Sequence, residues 1–498
     1  MNKATRMRRP STSSSGAGVM AASVLLLTAL LLVVRVHPRE WGDNGIFLSV
    51  GARLLEGDRL YADVADNKDP LFYYGYAAAL WVGDWRTPAL LDGLWLALGG
   101  LAMGLLVREL RAGKVAMLAA AVLYPLALTA SWYEPATSML AALALAPAAA
   151  WLWLRERSLL AGVALGVAIL FKVNLALVVA APVVALLLLG VPDGSRGQRF
   201  ARGVAGLLGV VGTAAFVLAA RGELGPYFDI VLYNVDYADE GLVTQGGSGS
   251  VVEHVSLIPD FLWAAGRWQP VAAAGLVTIG LAALVVAWLR ARRELGSLAA
   301  VTATAALAAL VTVAMTALFH SHLQMLAFPV VLGAATIVAV VDRALGRVLA
   351  AAAAVLLVAL GLSASLERDG LEVQPWSRDP ISFPGTSLKT VRADLPSSSV
   401  TYSVFGRNSE NGHAAFAGDG LELACRWFHQ YPFHKSQLVE TLDCVREERP
   451  TLVIVTPGFY DPIAIPRWEE YVAGARRILA TDYERALTAH DVEVWKRR

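Results

Sequence analysis

The sequence predicts a polytopic α-helical membrane protein that ends in a small α/β domain. Hydrophobic residues make up 56% of its 498 positions and charged residues only 17%. The mean hydropathy of +0.53 is too high for an ordinary soluble protein of this length. Long apolar stretches recur as far as residue 365, after which proline, serine and charged residues become frequent. That change in composition is typical of a linker into a soluble domain.

The first apolar stretch, 19–36, follows a basic, serine-rich N-terminus. It is about long enough to cross a ~30 Å hydrocarbon core. A cleaved signal peptide is the alternative interpretation, but no clear small-residue cleavage site follows the stretch. We therefore predict an uncleaved first helix with a cytoplasmic N-terminus.

Further apolar stretches bring the predicted number of membrane crossings to about eleven. They lie at 88–107, 115–130, 138–154, 159–171, 175–190, 201–220, 269–289, 297–318, 323–341 and 348–365. If the crossings alternate, the short basic loops share the cytoplasmic side, as the positive-inside rule requires. These loops are 108–114, 155–157, 196–202, 290–293 and 342–347. An odd number of crossings then puts the C-terminal domain outside the cytoplasm.

Two apolar stretches are not simple crossings. The stretch 71–83 is too short to span and is predicted to be a re-entrant or interfacial helix. The stretch 159–190 is interrupted by "FKVN", where Lys172 would be costly in lipid. We predict two short helices that meet at a break on the outer face.

These patterns divide the chain into a membrane domain at 1–365, with a first outer loop at 37–87, a linker at 366–395 and an extracytoplasmic domain at 396–498. Within the last domain, "VTYSVFG" and "TLVIVTPGFY" are predicted to be buried strands. "QLVETLDCVREE" and "RWEEYVAGARRIL" are predicted helices, and "YERALT" and "VEVWKR" a terminal strand pair.

Several function classes are excluded by composition and motif. The formal net charge of +1 argues against nucleic-acid binding as a main activity. Neither a Walker-type phosphate loop nor a strand-anchored GxGxxG is present, so nucleotide-driven pumping has no sequence support. Two cysteines are too few for a thiolate metal site.

Ionisable residues next to the apolar stretches collect on the predicted outer side. Each alone is explained as well by a snorkelling or loop position as by function, but their shared side favours function. The group comprises Asp43, Glu134, Lys172, His320, His322 and the charged residues of "GDRLYADVADNKDPLFYYG" at 57–75.

The order of residues around that last stretch carries a family resemblance. "GDNGIFLSVGARLLEGDRLYADVADNKDPLFYY" resembles the first-loop signature of polytopic GT-C glycosyltransferases, in particular the protein-mannosyltransferase-like, family 39-like group. The matching positions are Asp43, then Leu54, Leu55 and Gly57, then Tyr61 and Asp63, then Lys68, Pro70 and Leu71. Glu134, Lys172 and "FHSHLQMLAFP" resemble later positions of the group over shorter stretches. Asn44 departs from the pattern, which often has a second acidic residue there.

The resemblance implies an inverting glycosyltransferase that moves a monosaccharide from a polyprenyl-phosphate donor to an acceptor hydroxyl at the outer membrane face. The acceptor would be a cell-envelope glycan, a lipid or a protein. A carboxylate near the lipid boundary is suited to be the general base, and Asp43 is our candidate. Glu134 is the second candidate catalytic residue.

Cations are needed for the departing lipid phosphate. Lys68 is the first candidate, with Arg59 and Lys172 as second cations. The candidate substrate-binding residues are Tyr61, Asp63, Asp66, Tyr73, His320 and His322. No cofactor is implied with certainty. A divalent metal held by Asp66 and His320 is an open alternative. The other aromatic residues of 71–83 and of the outer loop 221–268 are expected mainly in the interfacial belt.

Two other functions remain open at this stage. Intramembrane charges and a broken helix also occur in secondary transporters and in flippases for lipid-linked sugars. The second alternative function is that of a scaffold protein whose soluble domain binds an envelope polymer.

Cys425 and Cys444 test the predicted orientation, because an extracytoplasmic domain lies in an oxidising compartment. We expect them to form a disulfide. The alternative is two buried free thiols.

Overall fold

A computed structural model gives the structure of the protein. It describes residues 14–35, 43–83, 87–130, 138–191, 195–244, 296–315, 324–340, 348, 400–406, 421–431, 434–456, 458–461, 465–489 and 492–498. The predicted crossing at 269–289, all but the first residue of 348–365 and the linker at 366–395 lie outside these residues.

The apolar part of the chain is helical wherever it is described. Its helices are α1 (Ser14–Arg35), α2 (Asp43–Glu56), α3 (Pro70–Val82), α4 (Thr87–Glu109), α5 (Gly113–Ala130), α6 (Ser138–Leu154), α7 (Ser158–Phe171), α8 (Ala176–Leu188), α9 (Arg196–Ala220), α10 (Leu224–Thr244), α11 (Gly296–Met315) and α12 (Ala327–Val340). Within the described residues, every predicted apolar stretch coincides with one of them.

Two segments, Leu90–Glu109 and Arg196–Ala220, are long and apolar enough to cross a membrane. In the other apolar helices of the described residues, the apolar segments are shorter than these two, at 10–17 residues. Large side chains on α9 point outward, with Phe216 73% and Leu208 59% exposed. An outer surface of this kind suits contact with lipid. The number of eleven crossings stays a prediction.

The short helices predicted around the first loop and the FKVN break are present. α3 has 13 residues and packs on α2. Between α7 and α8 the backbone is extended at Lys172 and then forms a single 3₁₀ turn, Val173–Leu175. The prediction of two short helices separated by a break is therefore confirmed.

Helix α7 is held close to α9 by glycines. A Cβ on Gly162 would meet the Gly203 carbonyl oxygen at 1.8 Å, and one on Gly206 would meet the Leu159 carbonyl oxygen at 2.1 Å. Only glycine allows the backbones to approach this closely, as is common where membrane helices cross. This crossing fixes the position of the break that follows α7.

Helix α10 occupies residues 224–244 of the stretch 221–268 that was predicted to be a large outer loop. Its inner face buries Ile230 and Tyr233, which are one turn apart. Phe228, Leu232 and Val235 are 58%, 66% and 63% exposed on the other side. The loop interpretation was incomplete because the aromatic and apolar residues here repeat with helical spacing.

The C-terminal part contains a five-stranded sheet with helices α13 (Lys435–Glu448) and α14 (Pro466–Asp482). The strands are β1 (Val400–Phe405), β2 (Leu421–Leu423), β3 (Leu452–Val455), β4 (Tyr483–Ala489) and β5 (Val492–Arg497), in the order β2-β1-β3-β5-β4. β1 is parallel to β2 and β3, whereas β5 is antiparallel to β3 and β4. The predicted strands and helices are confirmed. β2 was not predicted.

The sheet contributes to two apolar clusters. On one face, Phe405, Val453 and Val455 pack with α13 and α14. On the other, Tyr402 and Ile454 belong to the cluster that continues into the first loop and the membrane helices. Cys425 and Cys444 form a disulfide, with their Cα atoms 5.9 Å apart. This bond connects α13 to the segment 424–431, which lies against the first loop.

Candidate active site

The part of the first loop that lies between α2 and α3, residues 57–69, is a compact turn. Its backbone closes on itself, because the Tyr61 amide donates to the Val64 carbonyl oxygen at 2.7 Å. Tyr61 adopts a left-handed conformation with a φ of 65°, which is unfavourable for a tyrosine. Its ring is completely buried, and its hydroxyl donates to the Lys68 carbonyl oxygen at 2.7 Å. Tyr61 therefore supports the segment that carries Lys68 from within.

Asp66 is fully buried at one end of that segment. The Tyr73 hydroxyl donates to its Oδ2. The Oδ1 lies 3.2 Å from Nε2 of His429, which belongs to the C-terminal part. Neither of these two atoms has a well-directed hydrogen bond among the described residues. Burial would raise the pKa of Asp66, but Lys68, His429 and Tyr73 together hold it well below the ordinary value.

Asp69 is buried at the other end of the segment and joins three parts of the chain. Its Oδ2 accepts from the Val173 amide at 2.9 Å, directly after the α7 break. Its Oδ1 accepts from the Tyr227 hydroxyl of α10, also at 2.9 Å. Burial raises the pKa of the Asp69 carboxyl, although both hydrogen bonds and Lys172 oppose the rise.

Glu223 provides a further buried connection just before α10. It accepts from the Leu60 amide at 3.0 Å and from Arg221 Nε at 2.7 Å. The Tyr74 hydroxyl donates to its other oxygen. The start of α10 is thereby bonded both to the first loop and to α3.

Lys68 lies between the two buried aspartates and is partly exposed. Its ammonium donates to Asn67 Oδ1 and lies 5.5 Å from the centroid of the Phe47 ring on α2. The carbonyl of Asn67 is in turn fixed by Asn234 Nδ2 of α10 at 3.0 Å. Since Asp66 is deeper than Lys68, the ammonium is the charge nearer the solvent.

Asp43 is the first residue of α2, and Phe47 lies one turn after it. The helix rises about 6 Å over those four residues. The Lys68 ammonium therefore contacts α2 one helical turn after the position of the candidate base. The side chain of Asp43 is outside the described part of the chain.

The two second cations differ in their surroundings. Arg59 is 53% exposed and forms an ion pair with Asp63 at 2.8 Å, while Asp63 also accepts from the Arg59 amide at 2.8 Å. Lys172 directly precedes Val173. The hydrogen bond from the Val173 amide to Asp69 therefore brings the break close to Lys68. The structure thus brings Lys68 and Lys172 to one region and gives Arg59 an acidic partner.

Of the remaining predicted site residues, Tyr73 is fully buried against Tyr61 and Asp66. Glu134, His320 and His322 lie outside the described residues. Among the residues that are described, no group of three or more His, Cys, Asp or Glu side chains is arranged to hold a metal ion.

Sequence reasoning did not identify His429, Tyr227 or Glu223 as neighbours of this loop. Their partners within the loop are more than 150 positions away in the chain: the bond between Leu60 and Glu223 spans 163 residues. A repeated spacing within a helix cannot reveal such contacts. The one available signal was the aromatic and acidic composition of the segment around 223–234.

Known structures share this architecture. The crystal structure of ArnT from Cupriavidus metallidurans bound to undecaprenyl phosphate aligns over 97% of this chain and 98% of that one, with a TM-score of 0.52 and 16% identity. The cryo-EM structure of the arabinofuranosyltransferase AftD from Mycobacteria aligns over 98% of this chain, with a TM-score of 0.50 and 16% identity. This chain has the GT-C fold.

The shared fold is the one that the first-loop resemblance implies. The likeness extends over nearly the whole of ArnT but covers only 40% of the AftD chain. No protein-family model and no curated protein sequence matches the chain. The finer mannosyltransferase-like assignment has no specific support from the two neighbours.

Proposed function

We propose that this GT-C protein is an inverting glycosyltransferase of the outer membrane face, which takes its sugar from a polyprenyl-phosphate donor. The donor class is supported by the neighbour ArnT, whose structure contains undecaprenyl phosphate. The family 39-like signature of the first loop supports the same class of reaction.

The observation that carries the proposal is the way Lys68 is held. The buried carboxylates of Asp66 and Asp69 anchor the two ends of its segment, and Tyr61 supports the Lys68 carbonyl from within. A cation presented on a fixed backbone loses little freedom when it binds an anion. Lys68 is thus suited to bind the donor phosphate and to stabilise its charge as the glycosidic bond breaks.

Lys172 is the second cation that the arrangement favours. It lies at the break whose Val173 amide donates to Asp69, next to the segment that carries Lys68. A donor phosphate near Lys68 would then lie between the first loop and the break. Phosphate oxygens commonly accept from several cationic donors.

Asp43 is our candidate for the general base that takes the proton of the acceptor hydroxyl. In a single displacement, the acceptor oxygen bonds to the anomeric carbon as the bond to the lipid phosphate breaks, and the configuration inverts. Glu134 is the second candidate. The domain at 396–498 would bind the acceptor or assist assembly, and it would lie outside the cytoplasm, as would the first loop at 37–87.

A transfer assay tests the proposal. Purified protein in lipid nanodiscs is given a small panel of polyprenyl-phosphate monosaccharides with envelope-glycan, lipid and peptide acceptors, and products are read by mass. Asp43→Asn, nearly equal in shape, should lower turnover by ~10²- to 10⁴-fold. Asp443→Asn, at an exposed position of α13, is the matched control and should keep wild-type turnover.

Near-normal turnover in Asp43→Asn would move the base to Glu134. Movement of a lipid-linked sugar between leaflets without a new glycosidic bond would refute the transferase assignment and favour a flippase.

A further inference from the structure

We propose that His429 is a positioning residue for the donor site and acts through Asp66 to set the position of Lys68. The inference rests on the proposed function for its effect on donor binding. It makes the C-terminal part a component of the site that binds the donor, in addition to any contact with the acceptor.

The first step is that His429 is presented by a rigid segment. Gln437 Nε2 donates to the His429 carbonyl oxygen at 2.9 Å, and Gln437 Oε1 accepts from the Tyr431 amide at 2.8 Å. The neighbouring Gln430 exchanges bonds with the end of β1, where its Oε1 accepts from the Gly406 amide at 2.8 Å. Because all of these groups are buried, the imidazole has little freedom to move.

This segment is also attached to the first loop beside the histidine contact, through Arg426. The Ala65 amide donates to the Arg426 carbonyl oxygen at 2.8 Å, and Arg426 Nη1 donates to the Tyr61 carbonyl oxygen at 3.2 Å. On α10, Tyr233 stacks on His434 with ring centroids 3.8 Å apart. The contact between His429 and Asp66 is therefore part of a continuous interface.

The third step concerns charge. Asp66 and His429 are 0% and 1% exposed, so neither can exchange its partner for water. A buried carboxylate that loses one of its partners becomes strongly unfavourable. Without His429, Lys68, two residues along the chain, is the cation that still acts on Asp66 among the described residues. The ammonium would be drawn inward to Asp66 and away from a bound phosphate.

A second substitution at Asp66 should rescue the loss of His429. His429→Ala should weaken donor binding because Lys68 turns toward Asp66. Adding Asp66→Asn removes the uncompensated charge and should restore much of the loss. If His429 only filled space in the interface, the second substitution would add its own damage.

The experiment uses the full chain in lipid nanodiscs, with undecaprenyl phosphate as the probe. We expect His429→Ala to raise the Kd for undecaprenyl phosphate about tenfold. An effect of this size is within the range of interaction energies between residues in direct contact. His429→Ala/Asp66→Asn should lie within about threefold of wild type, and His429→Gln, which keeps an N–H donor, between the two. Arg446→Ala, at an exposed ion pair of α13, is the control and should bind as wild type does.

Hydrogen–deuterium exchange of the segment 57–69 provides a readout that does not depend on any donor. It should be faster in His429→Ala and return toward wild type in the double variant.

If wild-type protein does not bind the probe, the donor assignment fails, and the exchange data still decide the role of His429. Should His429→Ala not be isolated in folded form, His429→Gln with and without Asp66→Asn replaces it. Unchanged exchange in the single variant, or additive effects in the double one, would overturn the proposal.

Discussion

Asp69 is the residue whose replacement should most directly separate the first loop from the break after α7. Asp69→Ala removes two hydrogen bonds, from the Val173 amide and the Tyr227 hydroxyl, each at 2.9 Å. Hydrogen bonds to a charged group contribute about 1.5–3 kcal/mol each. Both donors are only partly buried, so the lower value applies, and their sum is about 3 kcal/mol.

Burial of the Asp69 charge opposes this gain, as its raised pKa indicates. Asp69→Ala also removes this burial cost, so the net loss of stability is about 2 kcal/mol. That loss corresponds to about a 30-fold shift in the local opening equilibrium. Asp69→Asn retains one acceptor oxygen and should lose about half as much free energy, or about fivefold.

Hydrogen–deuterium exchange of a short peptide that covers 172–176 measures the effect at the donor itself, because the Val173 amide is one of the two lost bonds. The expected order of exchange rates is Asp69→Ala, then Asp69→Asn, then wild type. Asp443→Ala, in an exposed ion pair of α13, should match wild type. Exchange in Asp69→Ala within twofold of wild type would refute the view that this carboxylate holds the two segments together.

Three further predictions follow from the same region. Lys68→Ala should raise the KM for the donor about 10- to 100-fold, and Lys68→Arg should keep part of the activity; an unchanged donor KM would remove Lys68 from the phosphate site. The disulfide between Cys425 and Cys444, 19 positions apart, should stabilise the C-terminal part by ~3 kcal/mol. Mass mapping after alkylation before lysis should find it, whereas free thiols labelled from the cytoplasm would contradict both the bond and the orientation. Finally, because Asp66 has a lowered pKa in the folded protein, its contribution to stability is complete above about pH 4 and is lost at lower pH. Melting curves of wild type and Asp66→Asn should therefore converge in acid, and a constant difference would contradict this assignment.

Local patterns predicted much of the fold. The apolar stretches, the break at Lys172 and the terminal strand pair all depend on residues close together in sequence, where hydrophobic spacing and the cost of a charge in lipid are informative. The short strand β2 was missed because three residues carry almost no periodic signal. Its position depends on pairing with β1.

The candidate site was predicted only in part for a related reason. The first-loop residues were identified because they follow one another in the sequence. The role of Asp66 as an anchor could not be seen, because its partner His429 lies in another part of the fold. The same applies to Asp69, whose hydrogen-bond donors Val173 and Tyr227 lie in other parts of the chain. Non-local contacts of this kind are set by packing of the whole chain.

Helix α10 has opposite surroundings on its two sides. Its outer face exposes Phe228, Leu232 and Val235, while its inner face bonds to Asp69 and to the Asn67 carbonyl. An amphipathic helix of this kind settles at the depth where its apolar face meets the acyl chains. The thickness and lateral pressure of the bilayer would then act on the segment that carries Lys68. In such an arrangement the lipid environment helps to set the geometry of the first loop, and a detergent micelle would leave the helices intact while altering that loop.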